Sequence, residues 1–174
     1  MHDEFLPKRI EFTNGGAGVG VSPGQPKKRN AKIMHVCCGS NFANAVDTDG
    51  DLWSWGSNYY GQLGTDSLRE DKAVVPHLIT AIGEPVNDIS CGMFHCAIIT
   101  KKFLVYSWGN NINGQLGIGQ IGGYRAAPQL VEALNGEVVS AIQCGNNNTM
   151  ALTELGQVFG WGNNAYYKLG LSKT

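Results

Sequence analysis

The sequence predicts an all-β protein, a partial β-propeller of three four-stranded antiparallel blades, one for each copy of a repeat of about 53 residues. Three observations predict it. First, three landmarks recur in one register: Cys-Gly at Cys38, Cys91 and Cys144, Trp-Gly at Trp55, Trp108 and Trp161, and Leu-Gly at Leu63, Leu116 and Leu169. Each series advances by 53 residues per step, and Cys to Trp (17 residues) and Trp to Leu (8 residues) are the same in every copy. Second, the stretches between landmarks are short apolar runs separated by turn residues, with no sustained 3.6-residue period. Third, glycine makes up 24 of the 174 residues, about twice the usual ~7%, as closely spaced turns require.

The elements follow from the second copy. Residues 75–79 form a short apolar run around Pro76, residues 86–91 alternate roughly between apolar and polar, and residues 96–100 and 104–108 are two further apolar runs. Four runs of this length read as four strands. In the first copy the turn between the last two strands is Asp47-Thr48-Asp49-Gly50-Asp51, where Gly50 supplies the positive φ of a tight hairpin. Leu155-Gly156 stands there in the third copy, and Lys102-Phe103 in the second, so the second turn is expected to differ. One repeat domain spans 1–174, with repeats at about 7–68, 74–121 and 126–171. The first repeat carries an insertion at 14–30 that is rich in Gly and Pro, reads as a loop and ends in Pro26-Lys27-Lys28-Arg29.

The recurring Trp is expected to pack between adjacent blades, the Gly behind it allowing close backbone approach. The Cys before Gly reads as a small buried hydrophobe. Successive connections alternate between the two faces of a propeller disc. The turns after Cys-Gly and the long connections after Trp-Gly therefore share one face, opposite the Asp-Gly hairpins.

Composition bounds the function. A net charge of −1, with 16% charged residues, supplies no field for nucleic acid or an anionic membrane. No apolar run approaches the ~20 residues of a membrane-spanning helix. The acidic Met-His-Asp-Glu-Phe start has no apolar signal region, so an intracellular location, cytoplasmic or nuclear, is expected. Five cysteines, an odd number without zinc-site spacing, are expected to be reduced thiols. The glycine run at 15–20 lacks the spacing of a dinucleotide or phosphate loop, and 47–51 lacks the Gly position and helical flanks of an EF-hand. His2, His35, His77 and His95 are scattered, and no nucleophile, base or metal set recurs at a working spacing. No cofactor, metal or catalytic residue is therefore assigned. Lys27, Lys28 and Arg29 are a candidate import signal or contact for an acidic partner, weighed against a simple solvated loop.

The motifs resemble the regulator-of-chromosome-condensation repeat family. The resemblance rests on Cys91-Gly92-Met93-Phe94-His95, Val105-Tyr106-Ser107-Trp108-Gly109-Asn110-Asn111 and Gly114-Gln115-Leu116-Gly117, and on their counterparts at Cys38, Trp55, Gly61, Cys144 and Trp161. His95 fits the family's usual His, replaced by Phe42 and Asn148 in the other copies, and Tyr167-Lys168 replaces Gly-Gln in the last. The resemblance implies a propeller that closes typically with about seven blades, so three imply an open arc. Such an arc is expected to be part of a longer propeller, to self-associate toward a ring, or to stand as a short arc capped by its termini.

The expected function is a non-catalytic protein-interaction module acting through propeller loops. Its partner-binding residues are placed at Lys27, Lys28, Arg29, Phe42, Phe94, His95 and Asn147. The alternative implied by the resemblance is nucleotide exchange on a Ran-like small GTPase, or a fragment of such an exchanger, with a small GTPase or chromatin protein as partner. No Trp-Gly motif here carries the long extension that the founding exchanger uses as a wedge, which favours the interaction reading.

Overall fold

A computed structural model describes residues 6–12, 31–66 and 71–172. Among these residues, eleven strands form three antiparallel sheets whose strands follow one another in chain order. The first sheet holds β1 (Ile33–Cys38), β2 (Phe42–Asp47), β3 (Leu52–Ser57) and β4 (Lys72–Ile79). The second holds β5 (Val86–Cys91), β6 (His95–Thr100), β7 (Val105–Asn110) and β8 (Tyr124–Leu130). The third holds β9 (Val139–Cys144), β10 (Asn148–Thr153) and β11 (Val158–Gly162).

These sheets are propeller blades, with one difference of phase. The run at 75–79, grouped by sequence with the second copy, is the outer strand of the first blade, hydrogen-bonded to β3 from Leu52↔Ile79 to Ser57↔Lys72. Each blade therefore begins at its Cys-Gly strand and ends on the strand behind the long connection. The local sequence shows the run but not which neighbour it pairs with, because β pairing is a long-range choice. Among the described residues the third sheet has three strands where four were expected. Residues 7–12, expected to open the first repeat as a strand, are assigned to no strand among the described residues. The insertion at 14–30 and its basic run lie outside the described residues.

The hairpins on one face share a device. Asp47 Oδ1 accepts the backbone N–H groups of Asp49 and Asp51, each at 3.0 Å. Thr100 Oγ1 accepts those of Lys102 and Leu104, and Thr153 Oγ1 that of Gln157. The second turn does not differ as expected. Phe103 takes φ 64°, the left-handed conformation that Gly50 and Gly156 take at the same position. The pair of bonds to Thr100 holds the turn even though the residue there carries a side chain.

At Trp55 and Trp108 the ladder slips by two residues, between Ser54 and Gly56 and between Ser107 and Gly109. Gly109 has φ 100°, and a Cβ there would stand 2.4 Å from the Phe94 carbonyl oxygen, so the bulge admits only glycine.

Two apolar clusters lie between blades. The first joins Val46, Leu52, Leu63 and Ile79 of blade one to Ile89, Cys96, Ile98 and Trp108 of blade two. The second joins Ala97, Ile99, Val105 and Val131 of blade two to Ile142, Ala151 and Trp161 of blade three. The cysteines are not all reduced. Cys37 and Cys91 form a disulfide, Cα atoms 5.7 Å apart, while Cys38, Cys96 and Cys144 are free. The physical reason is blade stacking, which sets β1 beside β5. Ser90 and Cys144 make the equivalent contact at the next joint, the Cys144 N–H donating to Ser90 Oγ at 2.9 Å.

Candidate functional site: the loop face over the first blade joint

Each joint is anchored from the loop after the Trp-Gly of the preceding blade. The Trp108 indole N–H donates to the Gln62 carbonyl at 2.9 Å, and the Trp161 indole N–H donates to the Gln115 carbonyl at 2.9 Å. A Cβ on Gly64 would stand 2.9 Å from Trp108 Nε1, and one on Gly117 2.7 Å from Trp161 Nε1, so each ring is seated on a bare glycine. Asn58 Oδ1 accepts the Leu63 N–H at 3.2 Å, Asn111 Oδ1 that of Leu116 at 3.1 Å, and Asn164 Oδ1 that of Leu169 at 3.0 Å. The loops after Trp-Gly are thus fixed by side-chain bonds as well as by burial.

Over the first joint this loop face carries an aromatic cluster. Tyr59 and Tyr60 pack edge to face with ring centroids 4.9 Å apart, and Tyr60 lies 5.0 Å from Phe94 of the next blade. Tyr59 and Met93 are exposed, and Tyr60 and Phe94 half-buried. The cluster does not repeat. Ile112-Asn113 and Ala165-Tyr166 stand at the counterparts of Tyr59-Tyr60, and Asn41 and Asn147 at those of Phe94. Positions kept in every copy hold the joints, so this aromatic combination, found over the first joint and not the second, is not explained by blade packing.

The sequence-derived residues divide accordingly. Phe94 belongs to the cluster. Asn147 lies on the same face over the second joint, half-buried, its carbonyl accepting the Asn163 N–H at 2.8 Å. Phe42 and His95 are buried. Phe42 fills the space beside Gly39, where a Cβ would collide with its ring. His95 Nε2 lies 2.9 Å from Thr149 Oγ1, which itself donates to the Gln115 carbonyl at 2.8 Å. The Thr149 proton being committed, His95 donates through Nε2 and its Nδ1 is bare. Lys27, Lys28 and Arg29 lie outside the described residues. Tyr59, Tyr60 and Met93 were missed by motif reading, although their departure from the 53-residue register was legible.

The buried titratable groups belong to the packing. Burial lowers His95 to about 4 and pushes the Cys144 thiol up to about 12, so both are neutral near neutrality. Asp47, Asp49 and Asp51 bring carboxylate oxygens within 4.8 Å of one another. The Asp47 carboxylate is nonetheless taken by the turn and by the Trp53 indole N–H, which donates to Oδ2 at 3.2 Å. Among the described residues no helix is long and apolar enough to cross a membrane.

Comparison with known proteins gives the family. The model of the regulator of chromosome condensation (RCC1) repeat matches residues 49–99 and 104–152, and a second model of that repeat matches 34–62 and 139–167. The kinase Nek9 of Mus musculus is 36% identical over 163 residues, 91% of this chain and 16% of Nek9. The E3 ubiquitin-protein ligase HERC2 of Homo sapiens is 35% identical over 153 residues, 86% of this chain and 3% of HERC2. The chain therefore spans a small part of these relatives. Human WBSCR16 superposes with a TM-score of 0.69 at 29% identity, over 80% of this chain and 36% of that one. Prp20p of Saccharomyces cerevisiae superposes with a TM-score of 0.73 at 23% identity, over 85% and 34%. At that identity Prp20p shows the shared fold.

Proposed function

We propose that this chain, which belongs to the RCC1 repeat family, is a non-catalytic protein-interaction module that binds a protein partner on the loop face over its first joint. The observation that carries the reading is the Tyr59, Tyr60, Met93 and Phe94 cluster, exposed or half-buried and present at one joint only. Aromatic residues supply large contact area at low entropic cost and dominate interface energies. The cluster sits on a rigid support, because the loop that bears it is fixed by Asn58 and anchors Trp108.

The test replaces the cluster with residues from the other copies, Tyr59→Ile and Phe94→Asn. Prp20p is described for its binding to Gsp1p and histones, so a Ran-like GTPase and a histone octamer are the first probes. Binding by either is expected to weaken about tenfold or more per substitution, as for interface anchors. A bound protein unaffected by both changes would refute this surface. Accelerated release of labelled GDP from the GTPase would replace the interaction reading with the exchange reading. The basic run Lys27–Arg29 is a second candidate contact, tested by fusing residues 20–33 to a reporter and scoring nuclear enrichment.

A further inference from the structure

The first joint differs from the second in its sulfur chemistry as well as in its aromatic cluster. Cys37 on β1 is bonded to Cys91 on β5, so a covalent link crosses from blade one to blade two. At the second joint the counterparts are Ser90 and Cys144, joined by hydrogen bonds. Beside the link lies Asn44, fully buried, whose Nδ2 donates to Cys91 Sγ at 3.3 Å and to Cys96 Sγ at 3.2 Å. The Cys96 thiol donates in turn to the Gln62 carbonyl at 3.5 Å. None of these side chains recurs. Ser90 and Gln143 stand at the counterparts of Cys37, Ala97 and Met150 at those of Asn44, and Ala43 and Thr149 at those of Cys96.

The link reaches both halves of the aromatic cluster. Cys91 opens the turn that carries Met93 and Phe94, and the Met93 carbonyl accepts the Ser40 N–H across the joint at 3.1 Å. Asn44 and Cys96 lead to Gln62, on the loop that carries Tyr59 and Tyr60. The second joint is built without such a link. There the Met93 N–H donates to the Asn146 carbonyl at 3.1 Å, and Thr149 Oγ1 donates to the Gln115 carbonyl at 2.8 Å. Blade stacking therefore does not require the bond, which stands where the cluster stands.

We propose that the Cys37–Cys91 bond is a redox switch. Oxidised, it holds Tyr59, Tyr60, Met93 and Phe94 together as one surface; reduced by a dithiol, it releases the two halves from one another. That surface is the partner site proposed above, and what the switch regulates rests on that reading. A thiolate of the dithiol attacks Cys37 Sγ and forms a mixed disulfide. The Cys37–Cys91 bond breaks, and its electron pair leaves on Cys91 Sγ, where the Asn44 N–H stabilises the thiolate until it takes a proton. The second thiolate of the dithiol attacks the mixed disulfide and frees Cys37, which is protonated in turn. Two electrons and two protons pass to the protein, and the dithiol becomes a disulfide. The two sulfurs then part to a nonbonded contact roughly 1.5 Å longer, and β1 and β5 yield with them.

The test is amide hydrogen exchange on the full chain, oxidised and then with excess dithiothreitol. Alkylation of the denatured protein is expected to label Cys38, Cys96 and Cys144 before reduction and all five cysteines after it. Reduction is expected to speed exchange of the Ser40 and Leu63 N–H groups at the first joint at least about tenfold. The Leu116 N–H, which bonds to Asn111 as Leu63 does to Asn58, is expected to change less than about twofold. Cys37→Ser, the second copy's residue, should exchange like the reduced protein under both conditions, and Cys38→Ser should respond like the unsubstituted chain. The comparison of oxidised with reduced unsubstituted chain stands whether or not a variant folds. Five cysteines labelled without reductant, or Ser40 and Leu63 unmoved by reduction, would overturn the switch. So would Leu116 moving as much as they do, since the bond would then be a staple of the whole arc. A Ser40 response to reduction, with the bound GTPase or histone unaffected by Tyr59→Ile and Phe94→Asn, would keep the switch and remove the partner reading alone.

Discussion

Replacing the three repeated tryptophans by alanine one at a time should give three different losses of stability, in an order set by position in the arc. Trp108 is fully buried at a joint, and its indole N–H donates to the Gln62 carbonyl. An aromatic side chain buries ~150–250 Å², which at ~25 cal/mol per Å² corresponds to ~4–6 kcal/mol. That is an upper bound, because an unfolded chain already shields part of its apolar surface. Removing the ring also leaves the Gln62 carbonyl with only the Cys96 thiol, 3.5 Å away. We expect Trp108→Ala to cost about 3–5 kcal/mol, in the range of large core truncations.

Trp161 makes the same bond to Gln115 but is half-buried. Its loss is expected at about 2–3 kcal/mol, in proportion to the area it buries. Trp55 has the Phe12 contact and, among the described residues, no indole hydrogen bond, so about 1–2 kcal/mol is expected. The assay is urea unfolding followed by far-ultraviolet circular dichroism, which does not depend on the tryptophan being removed. A Trp55→Ala cost equal to that of Trp108→Ala, or a Trp108→Ala cost below about 1 kcal/mol, would refute the joint as the unit of stability.

Two residues with side chains occupy left-handed backbone where other copies have glycine, Phe103 at φ 64° and Tyr167 at φ 57°. Phe103→Gly and Tyr167→Gly should each raise stability by about 1 kcal/mol in the same unfolding assay, as relief of left-handed strain predicts. Gly64→Ala should do the reverse, costing more than about 1 kcal/mol, because Gly64 has φ 73° and lies under the Trp108 ring. His95 gives a pH dependence whose sign is fixed. Its folded pKa is lowered by burial to about 4 from an ordinary 6.5, so below 6.5 the unfolded chain binds the extra proton. Stability from this group is full above pH 6.5 and falls as pH drops toward about 4, by up to about 3 kcal/mol. His95→Asn, the third copy's residue, should flatten that slope in melts recorded from pH 7 to 4; an unchanged slope would remove His95 as its source.

What the sequence made legible was whatever repeats. The Cys, Trp and Leu landmarks located the strands, the joints and the face shared by the Cys-Gly turns and the long connections, because each recurs for a packing reason local to its own copy. The phase of the blade was not legible, since Lys72–Ile79 reads alike whether it pairs with β3 or opens the next sheet. The Phe103 turn was misjudged because its conformation is imposed by Thr100 two strand positions away from the apparent signal, not by the residue that adopts it. The disulfide was likewise invisible. Cys37 departs from the repeat, with Ser90 and Gln143 at its counterparts, and only stacking of β1 on β5 brings it to Cys91. At the proposed surface, Phe94 is legible as part of the turn behind Cys-Gly. His95 follows Phe94 in the same turn, but its side chain points into the joint, which the motif does not reveal.

Joint and candidate site are two surfaces of one loop. Residues 58–64 carry Tyr59 and Tyr60 outward and present the Gln62 carbonyl inward to Trp108, and Phe94 reaches the same cluster from the blade that Trp108 anchors. The geometry of the cluster is therefore set by the joint. A partner that contacts both Tyr60 and Phe94 gains only when blades one and two hold their native angle, which the Trp108 bond, the first apolar cluster and the Cys37–Cys91 bond all favour. Over the second joint the backbone support is the same, but Asn113 and Asn147 stand where Tyr60 and Phe94 stand. Equal scaffolds with unequal surfaces mean that the aromatic cluster is not required by the joint beneath it.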